Sequence, residues 1–433
     1  MDLNTEGLTF VLFDIDDRCH AATIDLKRDI RLVDQKVITD DIPGLLAVHR
    51  QQDITDANVG ACCSRIGSHR DYLGEGHLTR IRRWRVATLF AMAVEKVLLC
   101  APRGFCAGVE MAIKALAWLV RSFDAPVYCY HEIVHNKLVV DAFQEQGVIF
   151  VDSIDEVPPG SPIMLSAHGS APEIVSAARE RGSYVVDAVC PLVTKVHHEV
   201  KVRVGKGFRI IYVGHEGHEE AVGTMAVAPD SISRVESIAE VAALPEFDEP
   251  TALLAQTTLS HRDWSEVANA AKERFPDLWQ PGRSDLCFAT TNRQSALMSI
   301  ASQCDAVVVI GSANSSNTNA LAKLATEAGC ANVFRVNGPG ELPDNLSGVV
   351  GVTAGASAPE DVVQDVIAFL APKQGVEEIR ITEEDEYFPP PRNLRSLLAA
   401  IGTVASVGLG GTLDEAAELN DRQVDASDVL SLL

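Results

Sequence analysis

The chain is short of positive charge. Against 60 Asp and Glu it carries 37 Lys and Arg, giving a formal net charge of −23 and a pI near 4.9. Nucleic acids and anionic membranes favour a basic face, so neither is an expected partner. A small anion is not excluded, because backbone N–H groups and hydroxyls bind phosphate without net positive charge. No CxxC pair occurs among the ten cysteines, which removes the usual support for a thioredoxin-like or zinc-ribbon site. No GxGxxG leads from a strand pattern into a helix and no P-loop is present; "GLGGT" (408–412) fits neither. Nicotinamide and flavin binding therefore lack sequence support, and electrons would come from another protein. Long apolar runs are also missing. "RIRRWRVATLFAMAV" imitates a signal peptide, but it lies far from Met1 and its apolar part is too short to span a bilayer. Scattered cysteines without a secretory signal at Met1 lead us to expect a reducing, cytoplasmic setting.

What is present is ordinary globular composition: 433 residues, 47% hydrophobic and 22% charged, enough for two to four domains. Residues 1–94 mix charges into short apolar pieces without a sustained period, and the expectation is a poorly ordered extension. Cys62, Cys63, His69 and His77 fit no zinc spacing. Met92, directly before the first core strand, is the expected initiator, or else the residues before it are dispensable. Mass spectrometry of the native N-terminus and the activity of a chain starting at Met92 test this.

From 95 to about 372 the pattern changes. Short β-branched runs ("KVLL" 96–99, "VIFV" 148–151, "PIMLS" 162–166, "YVVD" 184–187, "RIIYV" 209–213, "TALLA" 251–255, "AVVVI" 306–310, "VVGVT" 349–353) alternate with helical patterns such as "GVEMAIKALAWLVRSF". In that helix Val109, Ala112, Ile113, Leu116 and Val120 share a face. Alternation of this kind predicts α/β layers on parallel sheets, in more than one unit. "LSAHGSAPEIV" and "VTAGASAPEDVV" repeat one plan, in which Ser170 with Glu173 and Ser357 with Glu360 fit capping boxes. Residues 373–433 read as a mostly irregular, acidic and Pro-rich tail.

The chemistry falls at strand ends, where open α/β sheets bind ligands. Cys106, Cys190 and Cys287 each stand there, at similar separations, beside Gly, Pro or polar residues. Any one buried cysteine is more simply a small hydrophobe, the reading we give Cys100, Cys129, Cys304 and Cys330. Three thiolates, one per unit, suit an iron–sulfur cluster better than zinc; with only three ligands a [4Fe–4S] cluster leaves one iron open as a Lewis acid. His135, His168, His215, His218, Gln256, Thr257, Thr258, Ser315, Ser316, Asn317 and Ser357 gather at the other strand ends. "HEGHEE" is not HExxH, so a zincin is not expected. An N-cap is the simpler role for Ser170, Ser316 or Ser357 singly; together with the other polar groups they make a rim suited to a diphosphate. Glu220 is the acid singled out, since a carboxyl in a dry pocket holds its proton until it is needed.

"PRGFCAGV", "EIVHN", "SAHG", "DAVCPLVTKVH", "GHEGHEE", "AQTTLS", "DLCFATTNRQ", "NSSNTN" and "AGASAP", in order from about 95 to 372, closely resemble the LytB family of 4-hydroxy-3-methylbut-2-enyl diphosphate reductases. The resemblance implies three α/β units in a trefoil (about 108–190, 191–287, and 288–372 with 95–107) around a [4Fe–4S] cluster. It implies the last step of the non-mevalonate isoprenoid pathway, giving isopentenyl and dimethylallyl diphosphates, with electrons from a ferredoxin or flavodoxin. Cys106, Cys190 and Cys287 would hold the cluster. His135, His168, Ser315, Ser316, Asn317 and Ser357 would hold the diphosphate, with His218 lining the pocket. Glu220 would supply protons, relayed by Thr257, which also meets the substrate. The family commonly reads His-Pro-Glu where this chain has His218-Glu219-Glu220. The lost proline is expected to loosen the loop that aims the acid. A non-redox iron–sulfur hydro-lyase and a non-enzymatic sensor are the alternatives; turnover without a reductant, or failure to bind the diphosphate, would favour them.

Overall fold

The computed structural model describes residues 93–408 and 421–433 and, before them, only short strands. The chain divides into two compact units, Met1–Ala93 with Pro343–Leu346, and Val94–Leu342 with Ser347–Leu433. Within the first, Ala22–Asp25 pairs antiparallel with Asp29–Leu32, Leu12–Phe13 with Cys19–His20, and Thr9–Phe10 with Thr88–Leu89. Cys62, Cys63, His69, His77 and Met92 lie outside the described residues, as does most of the segment expected to be poorly ordered.

The second unit carries three sheets. β1 (Ala93–Ala101) leads into α1 (Ala107–Ser122). β2 (Val127–Tyr130), α2 (Lys137–Glu145), β3 (Val148–Val151), β4 (Pro162–Leu165), α3 (Pro172–Arg181) and β5 (Tyr184–Asp187) follow. Their strands form a parallel sheet in the order β5-β4-β2-β3. Next come α4 (Pro191–Val204), β6 (Arg209–Val213), α5 (Glu219–Met225), β7 (Ile232–Val235), α6 (Ile238–Ala243), β8 (Thr251–Ala255) and α7 (His261–Arg274). They build the parallel sheet β7-β6-β8. The last group is α8 (Phe288–Ile300), β9 (Ala306–Ile310), α9 (Ser316–Glu327), β10 (Val333–Val336), β11 (Ser347–Ala354), α10 (Glu360–Leu370) and β12 (Val376–Arg380). Here the sheet order is β10-β9-β11-β1-β12, so the first strand of this unit is inserted into its last sheet.

Strands flanked on both sides, such as β4 and β9, are buried along their whole length, as their unbroken apolar sequences require. The edge strand β12 is mostly exposed, and its "VEEIR" places charge where an open edge would otherwise invite pairing. In α1 the expected face is confirmed at Ala112, Ile113 and Leu116, which are fully buried.

Two expectations need correcting. Segment 373–433 is not mostly irregular where it is described. Besides β12 it contains α11 (Arg392–Gly408) and α12 (Ala426–Ser431), whose Leu394, Leu398, Ala426 and Val429 join the core around α1. Leu394→Ala should therefore cost about 2–5 kcal/mol, as for a fully buried leucine; an unchanged thermal unfolding midpoint would contradict this packing. The capping boxes are also absent. Pro172 and Pro359 take the first-turn and N-cap positions, so α3 starts from Ala171 and α10 from Pro359, neither giving a side-chain cap. Ser357 instead donates to the His135 carbonyl at 2.9 Å, and Glu360 takes a two-pronged ion pair from Arg103. No helix among the described residues is long and apolar enough to cross a membrane.

Candidate active site

Three helices start at cysteines. Cys106, Cys190 and Cys287 are the N-caps of α1, α4 and α8, and all three line one cavity of about 100 Å³. Each helix directs the positive end of its dipole at its sulfur, a setting that favours the thiolate form. The sequence builds the approach locally. Gly104 takes a left-handed φ of 66° at the turn out of β1, and Cys106 N–H is anchored on the Ala356 carbonyl at 3.1 Å. At Gly108 the need is closeness: a methyl there would lie 2.8 Å from Cys190 Sγ and 3.9 Å from Cys106 Sγ.

Arg293, on α8 and with no exposed surface, clamps this corner. It donates to the Gly104 and Phe105 carbonyls at 2.8 and 3.2 Å and to both oxygens of Glu384 at 3.0 Å. It thus ties the Cys106 loop, the Cys287 helix and the segment after β12 together. Removing one partner of such a buried pair strands the other charge, so Arg293→Met is expected to cost about 3–5 kcal/mol, seen as a lower unfolding midpoint.

The thiols fit a metal cluster. Burial pushes Cys190 up, and Cys106 beside it pushes it further; Cys287 is raised to about 11 by burial and Cys106, against hydrogen bonds from Thr290. Thiols held this way would ionise only against a cationic occupant, a charge that iron supplies.

Glu220, on α5, is 2% exposed. Its oxygens accept from the Thr257 N–H at 2.7 Å and the Thr257 hydroxyl at 3.0 Å. Burial raises it to about 7 in spite of these bonds, and buried Asp285 adds to the rise. At neutral pH it is therefore a carboxyl that can hold or give a proton. The residue two positions before it helps aim it: His218 caps α5, accepting the Glu220 N–H on Nδ1 at 3.2 Å. Burial followed by the neighbouring His168 and His135 lowers His218 to about 3. With Nδ1 occupied as an acceptor, its proton sits on Nε2.

On the polar rim, His135 and His168 stack with ring centroids 3.8 Å apart and planes 12° apart. Ser315 caps α9, and the Ser316 hydroxyl is 3.1 Å from that of Thr258. Asn317, 3% exposed, lines the cavity with both amide atoms unpartnered. A buried amide at the start of a helix can donate its NH2 to an oxyanion beside the free backbone N–H groups.

All expected site residues line this cavity: His135, His168, His218, Glu220, Thr257, Ser315, Ser316, Asn317, Ser357 and the three cysteines. His215, Gln256 and Ser170, grouped with them by sequence, do not; His215 Nδ1 is 2.8 Å from Glu236, and Gln256 donates to the Thr258 and Ser316 hydroxyls. Phe388 was missed, coming from the supposed tail to form a wall with Phe288. Its aromatic ring beside three prolines was the available signal. Glu219, in place of the family's proline, was expected to loosen the loop. It occupies the first turn of α5 and places Oε2 2.8 Å from His168 Nδ1. His135, His168 and Glu219 bring possible metal-ligand atoms within 4.8 Å of one another. A second cavity of about 290 Å³, lined by Glu110, Glu384, Asp385 and Asp425 among others, contains none of the three cysteines.

The family model described as LytB protein matches residues 97–371. The chain is 48% identical over 315 residues to the 4-hydroxy-3-methylbut-2-enyl diphosphate reductase of Rhodopirellula baltica, spanning 71% of this chain and 98% of that one. It is 45% identical over 311 residues to the enzyme of the same name from Leifsonia xyli, covering 70% and 92%. The solved structure of the E-1-hydroxy-2-methyl-but-2-enyl-4-diphosphate reductase of Plasmodium falciparum is similar with a TM-score of 0.68 at 30% identity, covering 71% of this chain and 99% of that one. Cysteine-capped helices around one cavity, a dry acid beside it and a match through the whole reductase core agree: the chain belongs to the LytB family of iron–sulfur reductases.

Proposed function

We propose that this cavity performs the reductive dehydroxylation of 4-hydroxy-3-methylbut-2-enyl diphosphate with the residues that line it. The observation that carries this is the meeting, in one cavity, of three helix-capping cysteines, the Glu220–Thr257 pair and the unpartnered Asn317. Cys106, Cys190 and Cys287 would hold a [4Fe–4S] cluster. When bound, such a group supplies electrons one at a time and an iron with a free position for an oxygen ligand. The electrons enter from an external donor of ferredoxin or flavodoxin type.

The chain's own residues supply the rest. Asn317, Ser315 and Ser316 at the start of α9, with Ser357, His135 and His168, hold the diphosphate and fix the substrate's orientation. His218 offers its Nε2 proton to the pocket. Val109, Val134, Val193, Phe288 and Phe388 are apolar walls that limit water around the reacting carbon. Glu220 delivers the proton that lets the hydroxyl leave as water, and the Thr257 hydroxyl keeps that carboxyl aimed and passes protons to it.

Asn317→Ala tests the diphosphate end separately from the acid. KM for the substrate should rise about tenfold or more with kcat changed far less, because the lost bonds hold a remote charged group. An unchanged KM in anaerobic steady-state assays would remove Asn317 from the site.

A further inference from the structure

Glu219 touches the site from outside it. It is not part of the cavity lining, yet its carboxylate reaches His168 Nδ1 at 2.8 Å, while His168 itself lines the cavity. A carboxylate can only accept, so the proton of this bond belongs to His168 Nδ1. The other nitrogen, Nε2, is then an acceptor in the neutral ring and a donor only in the imidazolium. A diphosphate offers nothing but acceptors, so His168 can bond to it through Nε2 only when charged. Burial makes that charge unfavourable, and the stacked ring of His135 makes it more so. Glu219 opposes both, with Glu132 contributing weakly in the same sense.

We propose that Glu219 is a positioning residue for the diphosphate: it fixes the His168 tautomer and compensates the imidazolium that the ligand requires. This rests on the assignment of His168 to the diphosphate. Every group facing the pair belongs to the balance. His135 and His218 face His168; His131, with Asp152 beyond it at 3.5 Å, approaches Glu219 at 3.9 Å; Glu132 sits 3.4 Å from His135 Nδ1; and the Glu219 charge, after burial, also pushes Cys129 and Tyr130 up. Burial pushes Glu219 up, but the hydrogen bond and charge of His168, then His135 and His131, hold it at about 2. It therefore stays ionised throughout the working pH range. Its charge lies behind the ring rather than in the cavity, where it would oppose the ligand.

The sign of the effect separates support from repulsion. In the holoenzyme, binding of inorganic diphosphate, measured by calorimetry and as competition against substrate from pH 6 to 9, should weaken about tenfold in Glu219→Gln, the usual loss for a charge-assisted bond. The fall of affinity with rising pH should begin at lower pH than in the wild type, and KM should change more than kcat. Glu219→Asp, with a shorter reach, should show an intermediate shift in the same direction and serves if the Gln variant does not fold. Unchanged or tighter binding in both variants, with the wild-type pH profile, would overturn the inference and leave the diphosphate assignment standing. No binding of diphosphate by the wild type would overturn both.

Discussion

Cys190→Ser is expected to purify colourless, with iron and sulfide at background and no reductase activity, and Cys106→Ser and Cys287→Ser should behave alike. All three sulfurs end at helix N-termini in one cavity, and Gly108 leaves room for only a hydrogen atom beside Cys190. A serine oxygen is harder and shorter than a thiolate sulfur, so it neither matches the iron nor spans the gap. The contrast variants are Cys129→Ser and Cys304→Ser, which lie outside the cavity lining. Both should keep the brown colour even if stability falls, because Cys129 is a fully buried core residue. Iron content equal to the wild type in Cys190→Ser would remove that residue from the ligand set.

Glu220→Gln should bind diphosphate normally and turn over at least about a hundredfold slower, the lower range for loss of a positioned acid. The pH dependence gives the sign. Glu220 must be protonated to act and is raised to about 7, so wild-type turnover should decline as pH rises through that region. Stability should move with it. The folded protein retains this proton after the unfolded chain has released it, so stability falls from about pH 4.5 to 7. Gln cannot ionise, and above that window the variant should be the more stable protein, by on the order of 3 kcal/mol. A slow but stabilised Glu220→Gln would show directly that the fold tolerates a cost for its acid. Near-normal turnover would give the role to another group.

The sequence already showed much of this, and where it did not the reasons are physical. β4, β6, β8 and β9 are buried in parallel sheets, so their apolar runs are unbroken and their bounds readable to within a residue. β7, β10 and β12 lie at sheet edges, where Ser233, Arg234, Arg335, Glu377 and Glu378 interrupt the apolar run. β2, inside its sheet, escaped because its "VYCY" has a single aliphatic residue where the strands that were read have more. The cysteines and Glu220 stood out by type and position, but convergence came only from the family resemblance. Arg293 gave no signal, because an arginine on an ordinary helix pattern reads as solvated; only the backbone carbonyls of residues 104 and 105 make it a clamp. Glu219 was read as a disturbance because its partner is 51 residues away.

The most direct test of the central claim is an anaerobic count of electrons against product. Reduced methyl viologen would be supplied to the cluster-loaded protein with limiting 4-hydroxy-3-methylbut-2-enyl diphosphate, and the C5 diphosphates analysed. Removing a hydroxyl as water while the carbon chain gains hydrogen consumes two electrons and two protons. The expected result is two viologen equivalents oxidised per substrate, with isopentenyl and dimethylallyl diphosphates as products and consumption abolished in Cys190→Ser. Product formation without viologen oxidation, or oxidation that ignores the substrate, would contradict it.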